Sequence, residues 1–325
     1  VSVQDRIHPD LREPLALFLG FLGPKGLGTV EDIPARRVGF EELSAALAAG
    51  APPVEGVTRE DRTVPGPPGA PDVAVRIYRP TGVVAPAPGV LYIHGGGMVI
   101  GSIQTEDVVA ATLTAAVGCV TVSVDYRLAP EHPDPAPVED CYAALAWLAA
   151  EAGSTGVDPD RIAVYGGSAG GGLATGVALL ARDRGGPALA LLMAIYPMLD
   201  DRSQTPSSHT IVDLGVWDRA ANLEGWACLL GDRVGTDVVS PYAAPARADD
   251  LAGLPPTYID VGDLDLFLDE DLVFAQRLAQ AGVPIELHVY PGAYHAFESL
   301  GAGTPIAAGA VALRIAALRR ALGVD

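Results

Sequence analysis

Ser168 stands within Gly166-Gly167-Ser168-Ala169-Gly170-Gly171-Gly172, after the apolar run 162–165 and before a helix-forming stretch over 173–180. A serine in a sharp strand-to-helix turn is thrust out of a sheet, and glycines on both sides permit a strained backbone and close packing. The N-terminus of the following helix favours developing negative charge. The pattern therefore predicts a nucleophile. The competing reading, a glycine-rich turn with an inert serine, is not excluded by this motif alone.

A second glycine cluster, His94-Gly95-Gly96-Gly97-Met98, closes another apolar run at 89–93. Backbone N–H groups without side chains in the way can point into a cavity, which is what a tetrahedral oxyanion requires. Gly96 and Gly97, with Ala169 after the serine, are the expected donors. A phosphate loop is excluded because no Lys-Ser/Thr follows, and Gly101 lies outside dinucleotide-fingerprint spacing.

A serine hydroxyl needs a base to take its proton. Of six histidines, His8 lies in a terminal segment, His94 in the glycine loop, His132 among prolines and His209 in a polar insertion. His288 alternates with apolar residues and reads as the outer face of a strand. His295 follows the last strand and a Pro291-Gly292 turn, in a loop before the final helix. The chain order serine, acid, histidine puts the base there. The acid belongs after the preceding strand, where Asp260, Asp263 and Asp265 all qualify and spacing does not choose among them. Asp269, Glu270 and Asp271 read as the acidic first turn of a helix.

The chain has 325 residues, with 21 Lys plus Arg against 40 Asp plus Glu, a formal charge of −19. Such acidity repels phosphate backbones and anionic headgroups, so neither nucleic acid nor a membrane is expected as a partner. Three cysteines without short spacing are expected to be buried thiols, with no metal and no disulfide framework. The apolar stretch 15–22 is preceded by acids and followed by Pro24-Lys25, so it reads as a capping helix and not as a signal core. The expected location is cytoplasmic, with a removed leader before Val1 left open.

These residues need a scaffold. Period-two alternation over 73–79 predicts a half-buried strand, and the apolar runs at 89–93, 120–124, 162–165, 189–195 and 257–261 predict parallel strands covered on both faces. Helical patterns lie between them, as at 137–150. Strand and helix alternate, so an α/β class with a mostly parallel sheet follows, its site at the carboxyl ends of the strands. Residues 1–55 read as the N-terminal part of a helical cap, and 56–325 as the catalytic domain with a cap insertion at about 200–248.

With these stretches assembled, the chain resembles the bacterial hormone-sensitive-lipase-like esterases of the α/β-hydrolase fold, from about residue 73 to the C-terminus. The resemblance is carried by His94-Gly95-Gly96-Gly97, Asp125-Tyr126-Arg127-Leu128-Ala129-Pro130-Glu131-His132-Pro133, the segment 158–164, Gly166-Gly167-Ser168-Ala169-Gly170, the segment 265–270 and Tyr290-Pro291-Gly292-Ala293-Tyr294-His295-Ala296-Phe297. It implies Asp265 as the triad acid, His295 as the base, a helical cap, no cofactor, and hydrolysis of short-chain acyl esters. It also implies pairing of two copies through the last strand and the final helix. Substrate contacts are expected at His94, Met98, Gly167 and Tyr196. The chain departs from the family pattern at Gly167, commonly acidic, at Met98, commonly aromatic, and at Leu266, commonly proline. The same triad could serve an amidase, lactonase or formamidase. A non-catalytic binding protein on this scaffold would lose the base, and His295 argues against it.

Overall fold

The order in which the chain adds strands to its sheet reverses at the point where the site should lie. The computed structural model describes residues 2–23, 25–29 and 32–324; Pro24, placed after the first capping helix by the sequence, lies outside them. The strands are β1 (Val57–Val64), β2 (Val73–Pro80), β3 (Ala87–Ile93), β4 (Val120–Asp125), β5 (Val157–Gly167), β6 (Leu191–Ile195), β7 (Thr257–Leu264) and β8 (Ile285–Tyr294). They form one sheet in the order β1-β2-β4-β3-β5-β6-β7-β8. β2 is antiparallel to β1 and β4, and the remaining pairs are parallel. The chain leaves β3 to one side for β4 and returns to the other side for β5. The carboxyl ends of β3 and β5 are therefore neighbours at a topological switch point, with Ile93 opposite Gly166.

β3 is buried along its whole length, as its continuous apolar run requires. Helices Asp107–Val117 and Pro305–Leu322 cover one face of the sheet, contributing Ala110, Val117, Ala317 and Leu318 to its core. Helices Ala136–Ala150, Ala169–Asp183 and Leu268–Gln280 cover the other, with Leu145, Val177 and Phe274. The N-terminal helix Ile33–Gly50 is tied down by cations. Arg37 donates to the carbonyls of Val99 and Ala129, just beyond the glycine loop, and Arg36 pairs with Glu224 of helix Arg219–Leu230.

Three expectations change. β1 has no counterpart in the sequence reading, because Arg59, Glu60, Asp61 and Arg62 hide its pattern; those charges pair across the ladder instead, Asp61 with Arg76 and Glu60 with Arg79. Cys119 and Cys141 are buried as expected, whereas Cys228 is only half-buried. On β8 the alternation runs opposite to the expectation: His288 is half-buried beside Tyr258, and Leu287 and Val289 on the opposite face are 38% and 40% exposed. His288 stands opposite Asp260 of β7 in the ladder, whose side chain is buried against Arg314, and its own ring meets Glu286.

Candidate active site

Ser168 occupies the turn between β5 and helix Ala169–Asp183 with φ 57° and ψ −122°, a conformation that L-residues rarely adopt. The turn is over-determined. Ser168 N–H donates to the Ile195 carbonyl at 2.8 Å, and the Ser168 carbonyl accepts from Gly172 and Met198 at 3.0 Å each. A Cβ on Gly170 would stand 2.2 Å from the Ile93 carbonyl oxygen, so only glycine lets the helix start this close to β3.

The Ser168 Oγ lies 2.9 Å from Nε2 of His295, whose Nδ1 lies 2.7 Å from Oδ2 of Asp265. All three side chains are largely withdrawn from solvent, at 7%, 6% and 1% residue exposure respectively. Asp265 is selected from the three candidate acids by what the others do. Asp260 pairs with Arg314, while Asp263 binds Arg6 and accepts the Gly292 N–H. Asp265 faces the imidazole, and its second oxygen accepts the Phe267 N–H at 3.0 Å. The imidazole is walled by Tyr196 at 4.7 Å and Phe267 at 5.3 Å, both edge-on.

Beside it lies the glycine loop. Gly96 and Gly97 have φ of 113° and 61°, and among the described residues neither N–H is bound to an acceptor. The Ala169 N–H opens its helix and so has no intrahelical acceptor. The three groups that the sequence assigns to an oxyanion thus remain uncommitted. His94 and Met98 are fully buried. The His94 ring stacks on Tyr126 at 4.2 Å, and burial pushes its pKa down to about 4, so it is neutral near pH 7. Gly167 faces the Tyr196 ring, 3.6 Å from where its Cβ would be.

Two supporting residues escaped the sequence. Glu106, half-buried, accepts the Gly95 N–H at 2.9 Å and the Tyr92 hydroxyl, anchoring the start of the glycine loop. Burial raises its carboxyl above the ordinary value, offset in part by those two bonds. Trp217, from the insertion, lies on Gly97: a Cβ there would stand 2.1 Å from Cη2 of the indole. No local spacing signals either contact: the sequence reading assigns Glu106 no role, and Trp217 is one aromatic in a polar stretch. Among the described residues no group of His, Cys, Asp and Glu could hold a metal ion. No helix among them is long and apolar enough to cross a membrane.

A serine raised at a strand-to-helix turn of a mostly parallel sheet, with a histidine and an acid in hydrogen-bonded series, defines a serine hydrolase. Residues 90–299 match the family described as alpha/beta hydrolase fold. The carboxylesterase NlhH of Mycobacterium tuberculosis is 40% identical over 265 residues, 81% of this chain and 82% of that protein. The ethyl acetate hydrolase of Pseudomonas putida is 33% identical, covering 81% of this chain and 82% of its own. A solved structure of a bacterial heroin esterase superposes with a TM-score of 0.92 at 38% identity, over 99% of both chains. The chain belongs to the hormone-sensitive-lipase-like carboxylesterase family of α/β hydrolases.

Proposed function

We propose that this carboxylesterase cleaves short-chain acyl esters, about two to six acyl carbons, through an acyl-enzyme on Ser168. His295 Nε2 takes the Ser168 proton as Oγ bonds to the substrate carbonyl carbon. The carbonyl electrons move onto oxygen, where the N–H groups of Gly96, Gly97 and Ala169 receive the charge. Asp265 holds the imidazole tautomer and stabilises the imidazolium. Collapse expels the alcohol, which takes its proton from His295. Water, deprotonated in turn by His295, then attacks the acyl-serine carbonyl; the C–Oγ bond breaks, His295 returns the proton to Ser168 Oγ, and the acid is released. The unbroken relay Ser168–His295–Asp265, at 2.9 and 2.7 Å, carries this reading.

Helices Pro9–Leu22 and Ile33–Gly50, with the segment 200–248, form the cap in this reading; the Trp217 contact with Gly97 supports it. Gly167 and Tyr196 border the reacting ester, and the enclosed His94 and Met98 shape the loop from beneath. Leu287, Val289 and Leu313, each about two-fifths exposed on edge strand β8 and the final helix, support pairing of two copies. A monomer mass by light scattering would count against that pairing. The expected site of action is the cytoplasm.

Ser168→Ala and His295→Ala, purified free of host esterases, test the mechanism. Each should lower kcat by several orders of magnitude, as coupled triad members do. Native-like turnover by either would overturn it.

A further inference from the structure

Tyr196 is one of five non-glycine residues among those described with positive φ, at 34°. Its N–H donates to the Asp260 carbonyl at 2.7 Å, and its hydroxyl donates to Oε1 of Glu298. That oxygen also accepts from Nη1 of Arg314 at 2.7 Å. Arg314 reaches up from the final helix, 3% exposed, and binds Asp260 through Nε and Nη2 at 2.7 and 3.0 Å. Its guanidinium lies 5.6 Å from the centre of the Tyr196 ring. Burial acts to raise the Glu298 carboxyl, but the Arg314 charge and the bonds from Arg314 and Tyr196 bring it below the ordinary range. The phenol therefore meets an ionised acceptor.

We propose that Glu298 is a positioning residue for the general base, acting through Tyr196 on the imidazole of His295. One ring wall, Phe267, is tied by its N–H to Asp265; the other, Tyr196, is tied by its hydroxyl to Glu298, three residues beyond the base itself. The ring can pivot about Cβ only by displacing one wall. Arg314 fixes Glu298, Glu298 fixes the phenol, and the phenol edge fixes the imidazole in line with Ser168. An ion cluster that served only to fasten the final helix would need no hydroxyl on residue 196 and no aromatic edge against the base.

The inference rests on the Ser168–His295 reading, so Ser168→Ala serves as a separate control: its full activity would dismiss that reading, whatever the other variants do. Tyr196→Phe removes the hydroxyl and keeps the ring. Its kcat should fall by about tenfold with KM within about twofold, since a small misplacement of a proton-transfer group costs on this scale. Labelling of Ser168 by an organophosphate should slow in parallel. Glu298→Ala should match it, and Glu298→Gln, which keeps an acceptor for the phenol, should recover most of the rate. All are measured well below each variant's Tm. A native kcat in Tyr196→Phe overturns the proposal, as does a rise in KM alone, which would leave Tyr196 its place beside the ester and no part in holding the base. If Glu298→Ala does not fold, Tyr196→Phe and Glu298→Gln still decide.

Discussion

Asp265 divides its two oxygens between the base and the backbone that shapes the base's pocket: Oδ2 lies 2.7 Å from His295 Nδ1, and Oδ1 takes the Phe267 N–H at 3.0 Å. The carboxylate is thereby fixed against rotation and presents one lone-pair direction to the ring.

Asp265→Asn should lower kcat by on the order of 10⁴, because the amide favours the wrong imidazole tautomer. Asp263→Asn leaves the relay untouched, losing the ion pair with Arg6 while its amide oxygen can still accept the Gly292 N–H, and should stay within about tenfold. Steady-state kinetics on one ester compare them. A larger loss in Asp263→Asn would reassign the acid.

The relay was legible in part. Ser168 and His295 announce themselves because a nucleophile turn and a post-strand histidine leave short-range signatures of glycine, proline and strand ends. The acid was not fixed by spacing, because Asp260, Asp263 and Asp265 sit within one strand and its exit turn. Only their partners in space, Arg314, Arg6 with Gly292, and His295, tell them apart. The central strands read correctly from their apolar runs. β1 did not, because an edge strand buries little and its alternating charges resemble a solvated loop. Trp217 and Glu106 gain meaning only through contacts the chain makes after folding.

Gly97→Ala should cost about 10²-fold or more in kcat, since the new methyl would meet the Trp217 ring and push the loop away from the geometry proposed for oxyanion binding. The φ of 61° adds strain of roughly 1 kcal/mol, which a small residue can tolerate. Adding Trp217→Ala should therefore recover part of the lost rate. A double variant no better than Gly97→Ala would show that backbone strain, and not the indole, sets the requirement.

Asp271 should weaken the fold as pH rises. Its side chain is buried in helix Leu268–Gln280, neither oxygen has a hydrogen-bond partner among the described residues, and burial, then the nearby Glu270 charge, raises its pKa well above 3.8. The folded state thus holds this proton more tightly than the unfolded chain. That contribution is complete below the unfolded pKa and is lost as pH climbs towards the folded value, by about 1.4 kcal/mol per unit. Asp271→Asn removes the titration, so its Tm advantage over the native chain should grow from pH 4 to pH 7. An advantage that shrinks over this range would mean that Asp271 is ionised and paired.

The acyl preference depends on where apolar surface ends. Each methylene gains about 0.8 kcal/mol only while it finds surface to cover. Beside the glycine loop we expect Trp217, which lies on Gly97, to close that surface. Trp217 is itself braced, its indole N–H reaching Asn222 at 3.4 Å and Asn222 donating to Ser203 at 2.9 Å. A wall braced through its N–H does not readily swing aside for a longer chain. Across p-nitrophenyl esters, kcat/KM should peak between about two and six acyl carbons and fall beyond them, because later methylenes meet the wall or remain in water. Trp217→Ala should move the peak to longer chains while leaving the two-carbon ester within about tenfold of native, since the Ser168 relay does not touch the indole. A native maximum at ten or more carbons would reassign the enzyme to long-chain substrates, and an unmoved peak in the variant would place the limiting wall elsewhere in the cap.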